Sequence, residues 1–176
     1  GGGWVGFAGT HLLVADAAGA VTRRRLVSLR QAARDAGLVA WADRDDTPLA
    51  LGAAAAAFLS SVYSFAAPAL EALRAEAPAA ADPSPIRLWP EHFDIAYEQG
   101  DEEAGTRAGF GVSPGDGEHD EPYAYVTPWS APPAGPLWQA TGFPGAELGW
   151  SAVAAAPDPL AHLLDFWRTR RDALGG

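Results

Sequence analysis

With 176 residues, 48% of them hydrophobic, the chain has the length of one compact domain and enough apolar content for a core without covalent staples. The absence of cysteine excludes disulfides, thiolate zinc sites and cysteine nucleophiles, and the absence of lysine excludes Schiff-base chemistry and Walker-type phosphate binding. A formal net charge of -10, with all 12 basic residues arginine, repels phosphate backbones and anionic bilayers, so neither a nucleic-acid nor a membrane partner is expected.

Residues 4 to 27 read as two or three short strands. Trp4 to Phe7 and His11 to Val14 are apolar runs separated by Gly9; Asp16 to Gly19 is turn material, and Ala20 to Thr22 leads into Arg23-Arg24-Arg25. That cluster is too short for a nucleic-acid footprint and edges a strand. Ser28 and Gln31 have capping-box spacing, which predicts a short helix from Leu29 to Ala36 that stops at Gly37. Asp43 to Pro48 is an acidic turn. Leu51, Ala55, Phe58, Val62, Phe65 and Leu73 then recur near the helical period, with Pro48 suited to the first turn. Pro68 is expected to kink or split this helix near Ala66. The apolar run over 49 to 59 is shorter than a bilayer span requires. Ala77 to Pro85 reads as a linker.

From Pro85 onward the pattern changes to strands. Ile86 to Trp89 and His92 to Glu98 are interrupted by Pro90, Arg107 to Val112 is thinned by glycines, and Tyr123 to Thr127 follows. Leu137 to Ala140 and Ala146 to Trp150 are further candidate strands, and Gln99 to Gly105 and Ser113 to Glu121 are polar loops. The closing helix is marked by Asp158 as its cap, Pro159 at its first position and a stripe of Leu160, Leu163, Leu164, Trp167 and Leu174. Arg168, Arg170 and Arg171 lie toward its negative dipole end. The fold class these elements predict is α+β, an antiparallel β-sheet packed on one side by helices, including a long alanine-rich helix and a C-terminal one. A single domain over 1–176 is expected, with a looser half, 1–80, and a strand-rich half, 85–176. Phe93, Ile95, Phe58, Val62, Leu163 and Trp167 are the expected core.

Strand alternation carries the functional reading. Phe93, Ile95 and Tyr97 share one face, and His92, Asp94, Ala96 and Glu98 the other; Glu121, Tyr123, Tyr125 and Thr127 likewise share a face. If these strands stack in meander order, two polar–aromatic faces coincide. His92, Asp94, Glu121, Tyr123, Tyr125, Trp89 and Trp129 are therefore the candidate residues for binding a small molecule. The plain alternative is a solvated sheet face, since such alternation is normal in antiparallel sheets. The loop from Ser113 to Glu121 is rich in carboxylates and holds a histidine, which suits a divalent metal, with His92, Asp94, Asp116, His119 and Glu121 as candidate ligands. A solvated acidic turn explains the same residues. No H-E-x-x-H, EF-hand, G-x-S-x-G or dinucleotide-fingerprint pattern is present. His11 and His162 are isolated and read as structural. Seven tryptophans is a high count, and Trp89, Trp129, Trp138 and Trp150 fall in the strand-rich half, as a ring platform or as core and rim.

The stretches Leu88-Trp89-Pro90-Glu91-His92-Phe93-Asp94-Ile95-Ala96 and Ser113-Pro114-Gly115-Asp116, with His119 and Glu121-Pro122-Tyr123-Ala124-Tyr125-Val126, resemble an uncharacterised actinobacterial protein family. A broader domain-of-unknown-function family is more distantly similar, through an aromatic–Asp–aliphatic–Ala strand, a Pro–Gly turn and a Glu–Pro–x–x–Tyr-type strand. The resemblance implies position and no chemistry. Three functions follow as expectations. The first is small-ligand binding on the polar–aromatic face. The second is metal-assisted hydrolysis or acid–base catalysis by His92, Asp94, His119 and Glu121. The third is a protein-interaction module using exposed tryptophans. No charged-then-apolar leader precedes the first strand, and a cytoplasmic protein is expected.

Overall fold

The structure is a computed structural model and describes residues 3–37, 46–50, 52–89 and 92–175. The expected acidic turn at 43–48, the helix position Leu51 and the strand break at Pro90 fall wholly or partly outside them. Two antiparallel sheets and a set of helices make the fold α+β. The chain divides into two compact units, Gly1–Ser61 and Val62–Gly176, with the division inside the long helix.

The first unit opens with a meander of β1 (Trp4–Ala8), β2 (His11–Ala15) and β3 (Val21–Arg25). Ala8 pairs with His11 across a two-residue turn that Gly9 enters at a φ of 57°, a conformation glycine adopts without steric cost. Asp16 Oδ1 accepts from the backbone N–H groups of Ala18 and Ala20 and closes the second turn. Leu12 and Ala15 are buried, whereas every residue of β3, arginines included, is exposed. Ser28 caps α1 (Leu29–Asp35) by accepting from the Gln31 N–H at 3.1 Å. The reciprocal half of the capping box is missing, because the Gln31 side chain donates forward to Asp35.

The long helix α2 (Ala53–Ala75) is continuous through Pro68. The expected break does not occur, since one forfeited backbone bond is outweighed by the burial of Ala66, Ala69, Leu70 and Leu73, all 0% exposed. Continuity also corrects the expected apolar length: α2 is long and apolar enough, by length and composition, to cross a membrane. Val62, Ala66, Ala69, Leu70 and Leu73 on one face of it are buried in the core of the second unit. Phe58, one turn before Val62, is 49% exposed and is not a core residue as expected.

The second unit is built on a five-stranded meander in chain order: β4 (Arg87–Trp89), β5 (Asp94–Gln99), β6 (Ala108–Ser113), β7 (Tyr123–Pro128) and β8 (Ala146–Gly149). The stretch Leu137 to Ala140 forms no strand, and Trp150, expected to end β8, opens α3 (Trp150–Ala155). The last helix, α4 (Pro159–Gly175), starts as expected, with Asp158 Oδ1 accepting from the Ala161 N–H at 3.0 Å. Leu160 lies on its exposed side, 45% accessible, while Leu163, Leu164 and Trp167 are buried, joined by Phe166, and Leu174 packs against them partly buried. Tyr97, Phe110, Val112 and Val126 from one sheet face pack with these side chains and with Val62, Leu70 and Leu73 of α2. Glu76, just past α2, accepts from Arg168 and, at 2.8 Å, from Arg171 of α4.

Ile95 and Tyr97 occupy the helix-facing side as the alternation predicts, but Phe93 does not join them. It precedes β5 in the left-handed region, φ 57°, is 43% exposed, and its carbonyl accepts from the Tyr63 hydroxyl at 2.5 Å. The left-handed turn takes Phe93 out of the strand's alternation. Phe93→Ala is therefore expected to cost about 1 kcal/mol, well below the about 3–5 kcal/mol of a fully buried aromatic. Phe93→Gly should be more stable than the alanine variant by about 1 kcal/mol, because glycine has no left-handed penalty. Urea unfolding of the pair checks both, and equal stability of the two variants would refute the backbone argument.

Candidate functional site

The second sheet face is open. Register aligns Trp89 with Asp94, Ser113 with Tyr123, and Ala96 with Gly111, Tyr125 and Glu147. Gly109 lies between Glu98 and Thr127. Side chains at these positions project to one side by strand alternation. All but Gly111 and Glu147 line a cleft of about 650 Å³ whose rim is completed by the loops around Asp116 and Phe143.

Glycine at alternate positions of β6 makes the concavity. A Cβ on Gly109 would meet only the Thr127 carbonyl oxygen, at an ordinary contact distance of 3.9 Å, so the floor there has room for a side chain. A Cβ on Gly111 would lie 2.6 Å from the Tyr125 ring and 2.7 Å from the Ala96 Cβ. The Tyr125 ring thus crosses β6 over Gly111, and its hydroxyl donates to Asp94 Oδ2 on β5. Burial first, and the neighbouring Asp94 charge second, push the Tyr125 phenol upward, so it is a donor at physiological pH. Asp94 is 6% exposed, and its other oxygen, Oδ1, is buried without a hydrogen-bond partner among the described residues. Burial and then the same carboxylate raise Tyr63 to about 12.

At one end of the cleft, His119 is clamped between two carboxylates. Its Nδ1 lies 2.8 Å from Asp116 Oδ1 and its Nε2 2.9 Å from Glu147 Oε2. Two carboxylate acceptors require protons on both nitrogens, so the ring is held as an imidazolium. The hydrogen bond to Asp116 is the main cause of its upward shift, opposed by burial and reinforced by Glu147. Asp116 is lowered to about 2, chiefly by His119, with further help from the Glu118 N–H. For Glu147, burial acts upward, but donation from the Thr141 N–H, His119 and the Thr141 hydroxyl prevails and lowers it. Tyr123 donates to Asp116 Oδ2 at 2.8 Å and lies under the imidazole, with ring centres 4.1 Å apart. Phe143 stacks on Tyr123 at 6.3 Å and meets Tyr125 edge-on. At the other end, the Arg107 guanidinium sits 4.9 Å above the Trp129 ring and bonds Glu98.

The pH dependence of the clamp has a definite sign. The raised histidine stabilises the fold below its ordinary value of about 6.5 and loses that contribution as pH rises through its higher folded value. Asp116 contributes above its ordinary value of about 3.9 and loses it only as pH falls through about 2. Unfolding free energy is therefore expected to decline from mildly acidic to alkaline pH, and His119→Gln should flatten that slope. Parallel slopes for the two proteins would exclude the clamp.

Of the residues singled out from sequence, Trp89, His92, Asp94, Tyr123, Tyr125 and Trp129, together with Asp116 and His119, surround the one cleft. Glu121 does not. Its carboxylate turns to the start of α3, where Oε2 accepts from the Ser151 N–H at 3.0 Å and Oε1 from the Ser151 hydroxyl at 2.8 Å. It supplies the cap that Gly149, lacking a side chain, cannot. The expected divalent metal set is not brought together: both His119 nitrogens are taken, Glu121 is elsewhere, and no group of three or more His, Asp or Glu side chains among the described residues is arranged to hold an ion. Sequence reasoning missed Glu147 and Phe143. It also read Gly109 and Gly111 only as weakening a strand, whereas glycines two apart share a face and signal close approach over it. The chain matches no protein-family model, no curated protein and no solved structure.

Proposed function

We propose that the Val62–Gly176 unit is a small-molecule-binding module that takes its ligand in the cleft on the open sheet face. The observation that carries this reading is Asp94 Oδ1, a buried acceptor without a partner among the described residues, in a concave wall of aromatic rings. A native fold rarely leaves such an atom unsatisfied, since the desolvation is uncompensated unless a donor arrives. The surroundings support binding: ligand sites are concave, mostly apolar, and carry a few fixed polar groups. Here the Tyr125 hydroxyl holds the Asp94 carboxylate in place, and Tyr123, Phe143 and Trp89 supply ring surface. Metal-assisted hydrolysis finds less support, because the imidazole that it would use is already bonded on both nitrogens.

Filling the cleft tests the reading. Gly109→Phe places a ring on the open floor in a strand that accepts aromatics well. The variant is expected to keep its fold and its unfolding midpoint. Fragments that shift the NMR signals of Tyr123 and Tyr125 in the wild type should no longer do so. Fragment binding that survives the substitution unchanged would place ligands elsewhere and remove the proposal.

A further inference from the structure

We infer that the ligand of this cleft is a small organic cation, a protonated amine on a flat apolar body, seated with its ammonium toward Asp94. The inference rests on the binding reading above and adds the chemical class.

Three observations converge on charge. The cleft is lined by four carboxylates, Asp94, Glu98, Asp116 and Glu118, against two imidazoles, His92 and His119, so it stays net negative even with both rings protonated. Counting Arg107, which bonds Glu98 from outside the lining, does not reverse that sign. Asp116 is neutralised locally by His119 and Glu98 by Arg107, which leaves Asp94 and Glu118 as the carboxylates without a cationic partner among the described residues. Of these, Asp94 is the buried one, and a buried carboxylate is the group that gains most from a charged donor.

Geometry then separates a cation from a neutral donor. The Tyr125 hydroxyl already fills the neutral-donor role at Oδ2, and both tyrosine and carboxylate orientation are set by that bond. Oδ1 has no donor among the described residues, and a charged donor there would satisfy the acceptor and also compensate the buried carboxylate's charge. The rings beside it favour the same partner. The faces of Tyr125 and Trp89 attract a cation electrostatically, while the ring area they share with Phe143 accepts a flat apolar body. Trp129 shows this contact within the protein itself, with the Arg107 guanidinium over its ring. Anions are disfavoured, because the His119 imidazolium is enclosed by Asp116 and Glu147.

The experiment compares three probes of similar size on the full chain: 2-phenylethylamine, 2-phenylethanol and phenylacetate, each titrated to millimolar concentration with ligand-observed NMR and tryptophan fluorescence. The amine is expected to bind at least about tenfold more tightly than the alcohol, as a charge-assisted hydrogen bond allows, and the anion to bind least. Asp94→Asn keeps an acceptor for Tyr125 and removes the charge. It should erase the preference for the amine while leaving the alcohol's affinity within about twofold, because the rings are untouched. Gly109→Phe should abolish binding of the amine and the alcohol together. Equal affinity of amine and alcohol in the wild type, with both lost in Gly109→Phe, overturns the cation and leaves the cleft reading intact. An amine preference that persists in Asp94→Asn also overturns it. Absence of saturable binding by all three probes overturns both readings, and circular dichroism of each variant establishes that a lost signal is not a lost fold.

Discussion

Trp167→Ala is expected to destabilise the protein by about 4 kcal/mol, among the largest effects of any single truncation in the chain. Trp167 is 0% exposed and is the largest of the fully buried side chains. It comes from α4 and joins a cluster with Tyr97, Phe110 and Val126 of the sheet and Leu70 and Leu73 of α2, so its removal leaves a cavity bordered by several elements. Rigid strands on one side limit how far the cavity can collapse. The indole Nε1 also donates to the Tyr125 carbonyl at 3.2 Å, and losing that hydrogen bond costs about 1 kcal/mol more. Trp167→Phe retains most of the volume and should cost roughly half as much. Urea denaturation of the three proteins measures these differences, and a loss below about 2 kcal/mol for the alanine variant would place Trp167 outside the core.

Gly111→Ala is expected to cost about 2–3 kcal/mol, a large penalty for adding a single methyl group. The new Cβ would fall 2.7 Å from the Cβ of Ala96, which belongs to a neighbouring strand and cannot rotate away. It would also fall 2.6 Å from the Tyr125 ring, which can move only by lifting off β6 and releasing Asp94. Stability and site geometry therefore fail together. The Tyr125 ring signals should shift and any amine binding at Asp94 should weaken in the same variant. A stability within about 0.5 kcal/mol of the wild type would mean that the ring does not cross the strand at Gly111.

The open sheet face was legible in the sequence only in part. Asp94, Tyr123 and Tyr125 were recognisable as sharing polar–aromatic faces, because alternation along a strand is a property of the strand alone. Phe93 belonged to the same alternation on paper, and left it because a left-handed turn precedes β5. Nothing in its neighbours demanded that turn; the Tyr63 hydroxyl, thirty residues earlier, helps to hold it. Glu121 was misplaced for a related reason. It reads as the first residue of its strand, but an unsatisfied helix start brought beside it by β8 claims its carboxylate.

Helices, the meander's strands and the cap at Asp158 were legible because each depends on residues within a few positions of one another: a periodic stripe, an alternating run, a side chain that reaches its own helix. Proline 68 marks the limit of those rules, since its local cost is real and the packing of α2 against the sheet outweighs it. The cleft lies wholly beyond them. Its depth comes from Gly109 and Gly111 on β6, its buried acceptor from β5, its orienting hydroxyl from β7, and its rim from loops near 116 and 143. Register between strands decides which of these residues meet, and register depends on how the whole apolar face of the sheet buries itself. A carboxylate's environment is therefore set by neighbours distant in sequence. For that reason composition and periodicity identified the face, and only folding made Asp94 a buried, half-satisfied acceptor.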